Sequence, residues 1–336
     1  MLFSQIKKRI PLKAKIFISS VIFDLIQPKF SRKSFGVDNP DKKFLVLGNT
    51  FSRKNGLLAI VFSVVENILY CLEKNIILVV DLKNNDNQYL DDLDVGVENS
   101  WEYFFRQPFG YNLEDIKSSK NVIYLTKASK SCPFSCMNKF RYFSIGSFDK
   151  KNTLFCEYKI AFNKYIRFND FTENFINTEY ERIFEGKERV LGVLARGTDY
   201  LLNKPKYHRI QPEPDVILEK SKQIMQDQNC SYIYLATEDD NMYQLFRDCF
   251  GEKLLVNSQK RVNLNNVQLD ANQLLNTVNF GRERDKYNLG LEYLSSLYNL
   301  SRCQCFVGGV TAGTAGVFAM TKGFEYHYLF DLGCYK

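Results

Sequence analysis

The segment Arg189-Val-Leu-Gly-Val-Leu-Ala-Arg-Gly-Thr-Asp199 runs from an apolar stretch into a cation, a glycine, a hydroxyl and a carboxylate. The apolar stretch has the character of a buried strand that delivers Arg196, Gly197, Thr198 and Asp199 at its carboxyl end. In open α/β sheets, ligands sit in the crevice beyond the carboxyl ends of the strands. A guanidinium there, beside a glycine that lets backbone approach closely, suits a phosphate or diphosphate. Asp199 would shape the site or take a proton. The alternative is a surface turn with an incidental ion pair.

Two more strand ends carry similar chemistry. Thr237-Glu-Asp-Asp240 follows an apolar run at 231–236. Carboxylates of Glu238 and Asp239 can accept hydrogen bonds from a ribose or from the edge of a guanine. One of the acids can equally cap a helix beginning near Asn241. The stretch Gly308-Gly-Val-Thr-Ala-Gly-Thr-Ala-Gly316 is predicted as a loop between a strand at 305–307 and a helix at 317–321. Its small residues and the hydroxyls of Thr311 and Thr314 would seat an anion on backbone N–H groups near Gly313. It is neither a Walker loop nor GxGxxG, and a tight turn with close helix packing fits it too. Residues 204–214 are polar and proline-stiffened, and would overhang the same crevice. They carry His208 and Glu213, candidate proton acceptors, although a plain surface-loop histidine is the favoured reading of His208. Arg282 and Arg284 form a cationic pair that faces either a diphosphate or solvent.

These groups need strands to hold them. Strands are predicted at 43–48, 75–81 and 121–125, with a helix over 57–74 between the first two, a βαβ unit with a right-handed crossover. The loop 49–56 is a natural ligand-facing position. The aromatic-rich segment 99–111 is predicted as a short helix and turn, and 126–151 as loops. Residues 152–186 are predicted largely helical. A second alternating unit starts at residue 189, with helices at 215–228, 241–250 and 284–301 and a further strand at 253–256. The class is α/β, with two Rossmann-like domains facing across a cleft. An arm and linker occupy 1–42, an N-terminal Rossmann-like domain 43–186 and a C-terminal Rossmann-like domain 187–336.

Composition bounds the partners. The chain has 336 residues and 45% apolar content, enough for two α/β domains. Nine cysteines show no disulfide pattern, and the reading is reduced thiols in a cytoplasmic protein. Cys132 and Cys136 have metal-ligand spacing, but with two histidines in the chain and no second clustered pair, no metal is expected. The net charge of +7 lies in residues 1–43, with ten Lys or Arg against three Asp, so the rest is balanced. That argues against a nucleic-acid-binding body. The arm mixes cations with Phe, Ile and Leu. Its longest uncharged stretch, 16–23, is too short to span a bilayer, and no small-residue cleavage site marks a signal peptide. Residues 1–27 suit an interfacial helix on anionic lipid, or a helix packed on the body with its lysines in water.

Three motifs together resemble the inverting fucosyltransferase superfamily, which holds α1,2-, α1,6- and protein O-fucosyltransferases, and the segment Asn99 to Tyr111 resembles a subgroup found in surface-polysaccharide gene clusters. Leu194-Ala-Arg196-Gly-Thr-Asp199 is similar to that group's His-x-Arg-Arg-x-Asp strand end. Leu235-Ala-Thr-Glu-Asp-Asp240 is similar to its Ala-Thr-Asp-Asp segment, and 292–307 with the small-residue stretch resembles its last helix, strand and loop. The resemblance implies a GT-B fold, GDP-fucose as donor, inversion at the anomeric carbon and no required metal. It implies Arg196 on the β-phosphate with Gly197 and Thr198 beside it, Glu238 and Asp239 on the nucleoside, and Thr311, Gly313 and Thr314 along the phosphates. Position 194 is Leu where the motif often has His, and 197 is Gly where a second Arg is usual. Arg209, Arg282 or Arg284 would then supply the missing cation. The expected acceptor is a glycan or lipid-linked glycan, with Asp199, Glu213 or His208 as base. Rival readings are another nucleotide-sugar donor, or a non-catalytic nucleotide- or polysaccharide-binding relative. A Rossmann oxidoreductase is weakened by the lack of GxGxxG after the first strand.

Overall fold

A computed structural model describes residues 31–48, 55–84, 87–124, 148, 153–196, 199–204, 208–263, 275 and 278–336. Within them the chain forms two sheets rich in parallel strands, the α/β class expected. The arm 1–27, Cys132 and Cys136, and Gly197 and Thr198 lie outside the described residues. No helix among the described residues is long and apolar enough to cross a membrane.

The first sheet contains β1 (Ser31–Lys33), β2 (Phe44–Gly48), β3 (Ile77–Asp81) and β4 (Val122–Tyr124), in the order β1-β4-β2-β3. β2 pairs in parallel with β3 and β4, and β1 closes the edge antiparallel to β4. Between β2 and β3 runs α1 (Leu57–Glu73), apolar almost all round and buried accordingly. β1 falls in the stretch predicted as linker. Its Ser-Arg-Lys sequence has no apolar alternation, because an exposed edge strand needs none. Segment 99–111 forms turns rather than a helix. The side-chain amides of Asn99 and Gln107 take its place in the pairing, bonding the Val80 carbonyl at 2.8 and 2.9 Å.

Before β4 comes a single turn, α2 (Leu113–Ile116), and the helical bridge is α3 (Thr153–Tyr165) followed by α4 (Asp170–Phe184). The second sheet holds β5 (Val190–Leu194), β6 (Tyr232–Ala236), β7 (Leu254–Leu255), β8 (Cys305–Gly309) and β9 (Tyr326–Phe330), ordered β7-β6-β5-β8-β9 and parallel throughout. Its helices are α5 (Asp199–Asn203), α6 (Pro214–Asp227), α7 (Asp240–Phe250), α8 (Asp285–Arg302) and α9 (Ala312–Met320). The strand order reverses between β5 and β8, which creates a crevice at their carboxyl ends.

Period-two alternation splits the core cleanly. Leu45, Leu47, Leu78 and Val80 of the first sheet point into the largest cluster, while Phe44, Val46 and Val79 point to the opposite face. That largest cluster also takes Val190, Tyr234 and Phe306 from the second sheet and residues of α1, α3, α8 and α9. The two halves therefore share one core. At Gly316 of α9 a Cβ would stand 2.6 Å from Leu58 Cδ1, so any larger residue would push the Leu58 side chain of α1 from its place. Across the same contact, Lys159 Nζ of α3 donates to the Phe318 and Thr321 carbonyls at 3.0 and 2.6 Å, satisfying the carboxyl end of α9.

Candidate functional site

Register brings the three sequence motifs together. Leu194 is aligned with Ala236 on one side and Gly308 on the other, so β6, β5 and β8 end in one row. Glu238, Arg196 and Thr311 each follow within two residues of their strand ends. All three border a single cavity of about 390 Å³, which Ala312 and Gly313 also line. The first half contributes Asn55, Gly56 and Tyr89, at the start of α1. Loop 49–56 thus faces the cavity through its last two residues, the only ones described.

Arg196 Nη1 donates to Glu238 Oε2 at 2.8 Å, with both side chains mostly buried, at 18% and 17% exposed. The guanidinium lies 4.8 Å from the centre of the Tyr200 ring. The Tyr200 hydroxyl meets His208 Nδ1 at 3.2 Å, which places His208 on the cavity wall. Arg209 and Gln211 border it too, and Arg209 Nη1 pairs with Asp331 Oδ1 at 3.1 Å. Tyr89 receives the Leu57 N–H at 2.8 Å and so caps α1. Burial pushes the phenols of Tyr89 and Tyr293 above their ordinary range, with the nearby Glu238 charge adding to it. Both are neutral at physiological pH.

The small-residue stretch is built differently from its prediction. Gly308 and Gly309 complete β8, and α9 starts at Ala312 rather than Val317. The predicted loop is therefore only Val310 and Thr311. Thr311 is the N-cap, accepting from the Thr314 N–H at 3.1 Å, and its own N–H donates to Thr314 Oγ1 at 3.2 Å. The Thr314 hydroxyl donates to the Gly309 carbonyl. The Ala315 N–H is taken by the Thr311 carbonyl at 3.1 Å. Ala312 and Gly313 remain, on the cavity wall, with amides that donate to no described residue. A Cβ at Gly313 would stand 2.9 Å from the Tyr293 hydroxyl, so glycine admits that phenol to the floor.

Five predicted residues are placed elsewhere. Asp239 is fully buried and caps α7, accepting from the N–H groups of Asn241 at 2.9 Å and Met242 at 3.4 Å. Thr314 is buried in the capping box just described. Glu213 precedes Pro214 at the start of α6, exposed and away from the cavity. Arg282 is held by Asp285 at 2.7 Å and Glu292 at 2.6 Å, outside the cavity. Arg284 pairs with Glu98 at 3.1 Å and stacks on Tyr287. Of Asp199, only the backbone at the start of α5 is described. Sequence reasoning did not single out Tyr89, Tyr200, Gln211, Gln259 or Tyr293. Among 20 tyrosines, nothing in the spacing separates a cavity wall from core. Among the described residues, no cluster of three or more His, Cys, Asp or Glu could hold a metal.

No family model matches the chain, and neither does any curated protein. Solved structures similar to it include the fucosyltransferase NodZ from Bradyrhizobium, at 15% identity and TM-score 0.47 over 82% of this chain and 92% of that one. POFUT1 in complex with GDP-fucose is similar at 10% identity and TM-score 0.44, over 87% and 98%. A mutant of Arabidopsis thaliana FUT1 in complex with GDP is similar at 12% identity and TM-score 0.46, over 87% and 72%.

Proposed function

We propose that this chain is an inverting glycosyltransferase of GT-B type that takes fucose from GDP-fucose and passes it to a bacterial surface-polysaccharide precursor. One observation carries the reading: Arg196, Glu238 and the first turn of α9 meet in one cavity at the point where the strand order of the second sheet reverses. The donor identity rests on the motif resemblance at 194–199 and 235–240.

In this reading an acceptor hydroxyl attacks the anomeric carbon while the bond to the GDP oxygen breaks. Charge collects on the departing diphosphate, and stabilising it is the larger task. Arg196 would take the β-phosphate, and the N–H groups of Ala312 and Gly313 would add a second hold at the positive end of α9. Glu238 orients the guanidinium and would itself face the ribose. Arg209, on the cavity wall, is the best-placed replacement for the cation absent at position 197. The proton would pass to His208, the one candidate base whose described side chain borders the cavity. Tyr200 fixes its ring through Nδ1.

A thermal-shift screen with GDP, UDP, ADP and CMP, followed by a transfer assay with the nucleotide sugar that stabilises, tests this directly. GDP is expected to raise the melting temperature most. No stabilisation by any of them, with no donor turnover, would refute the reading. The basic arm is proposed to hold the enzyme near bilayer-anchored acceptors. Deleting residues 1–27 is then expected to abolish sedimentation with anionic vesicles, and unchanged sedimentation contradicts it.

A further inference from the structure

Gln259 stands where the cavity adjoins a smaller one of about 20 Å³, and the two share Tyr89, Glu238, Gln259 and Tyr293 as walls. It is 7% exposed, and its buried Oε1 accepts no hydrogen bond from any described residue. Buried amide oxygens are rarely left so, because the lost hydration is not repaid. The segment around it is firmly tied. Asn257 Nδ2 donates to the Glu292 carbonyl at 2.9 Å, and Ser258 N and Oγ both donate to Glu179 Oε2 at 3.0 Å. Arg261 Nη1 donates to the Gln259 carbonyl at 3.1 Å, and the Val262 N–H to the Glu238 carbonyl at 2.8 Å. Asn257 Oδ1 and Arg261 Nε also lack a described partner, but neither residue lines either of these two cavities. Gln259 is thus a preorganised, unsatisfied amide facing the space a ligand would enter.

A carboxamide presents one acceptor and one donor side by side. That pair complements a nucleobase edge, and a diphosphate on Arg196 and α9 would leave the base to find a wall elsewhere in the cavity. Resting on the transferase reading above, we propose that Gln259 is the specificity-determining contact to the nucleobase of the donor, with Tyr89 and Tyr293 lining the same wall.

The test measures affinities of GDP, UDP, ADP and CDP by calorimetry, with pyrophosphate as a competitor, for the full chain and for Gln259→Met and Gln259→Ala. GDP is expected to bind tightest to the native chain. Gln259→Met should weaken it roughly tenfold to a hundredfold, level the differences among bases, and leave pyrophosphate affinity and the ligand-free melting temperature unchanged. A native preference for another base that Gln259→Met abolishes would uphold the contact and correct the donor. A folded Gln259→Met that keeps both affinity and base preference overturns the inference and leaves the transferase reading standing. Lower ligand-free melting temperatures in both variants, with base preference intact, also overturn it. Failure of the native chain to bind any of the four removes the transferase reading and this inference with it.

Discussion

Arg196 is held twice, by Glu238 and by the face of Tyr200, before any ligand arrives. A guanidinium fixed in this way needs no reorganisation when charge develops beside it, which is where such groups act most strongly. Arg196→Ala is expected to cost about 2–4 kcal/mol of transition-state stabilisation, roughly a 30- to 1,000-fold fall in kcat/KM. Steady-state kinetics with the donor sugar check it, and full turnover in the folded variant would contradict the role. Arg196, Glu238 and Thr311 were legible because each interrupts or follows an apolar run at a strand end. Asp239 and Thr314 were legible only as polar groups in the right place. The Asp239 carboxylate that could bind a ribose caps α7 instead, and the Thr314 hydroxyl that could bind a phosphate accepts the Thr311 N–H and donates to the Gly309 carbonyl within the turn that starts α9. Gln259 carried no signal, since a lone glutamine in a polar loop is unremarkable until its burial is known.

Strands were the most legible elements, because runs such as Leu45 to Leu47 and Leu191 to Val193 are buried on both faces and so read as continuous apolar stretches. Two edge strands, one from each sheet, were not: β1 is charged, and β9 follows the last predicted helix with its first two residues exposed. The helix α9 was shortened in prediction because Ala312 to Gly316 has no apolar periodicity, while its burial comes from both halves closing over it. The loop that carries Gln259 depends on α4 through Glu179. Burial raises the pKa of that carboxyl, but hydrogen bonds from Arg182 and Ser258 outweigh it and hold it below the ordinary glutamate value. A lowered folded value means stability that is present above about pH 5 and lost as pH falls through and below the usual range of about 4.3. Glu179→Gln should therefore cost about 1–3 kcal/mol near neutrality, with the gap to the native chain narrowing by pH 3. Urea unfolding at both pH values measures it, and an equal gap at both contradicts the account.

The α/β class and the two sheets were legible from the alternation of strands and helices. The sharing of one core between them was not, because periodicity marks a buried face without saying what covers it. That sharing sets the site. α1 brings Asn55 and Gly56, and the second sheet brings Arg196, Glu238 and α9, against a common wall whose helices are packed through Gly316 and pinned by Lys159. A crystal structure of the chain with GDP is the most direct test of the whole picture. The β-phosphate is predicted within hydrogen-bond distance of the Arg196 guanidinium and of the Ala312 and Gly313 N–H groups. GDP seated outside this cavity, or its diphosphate held without Arg196 and α9, would contradict it.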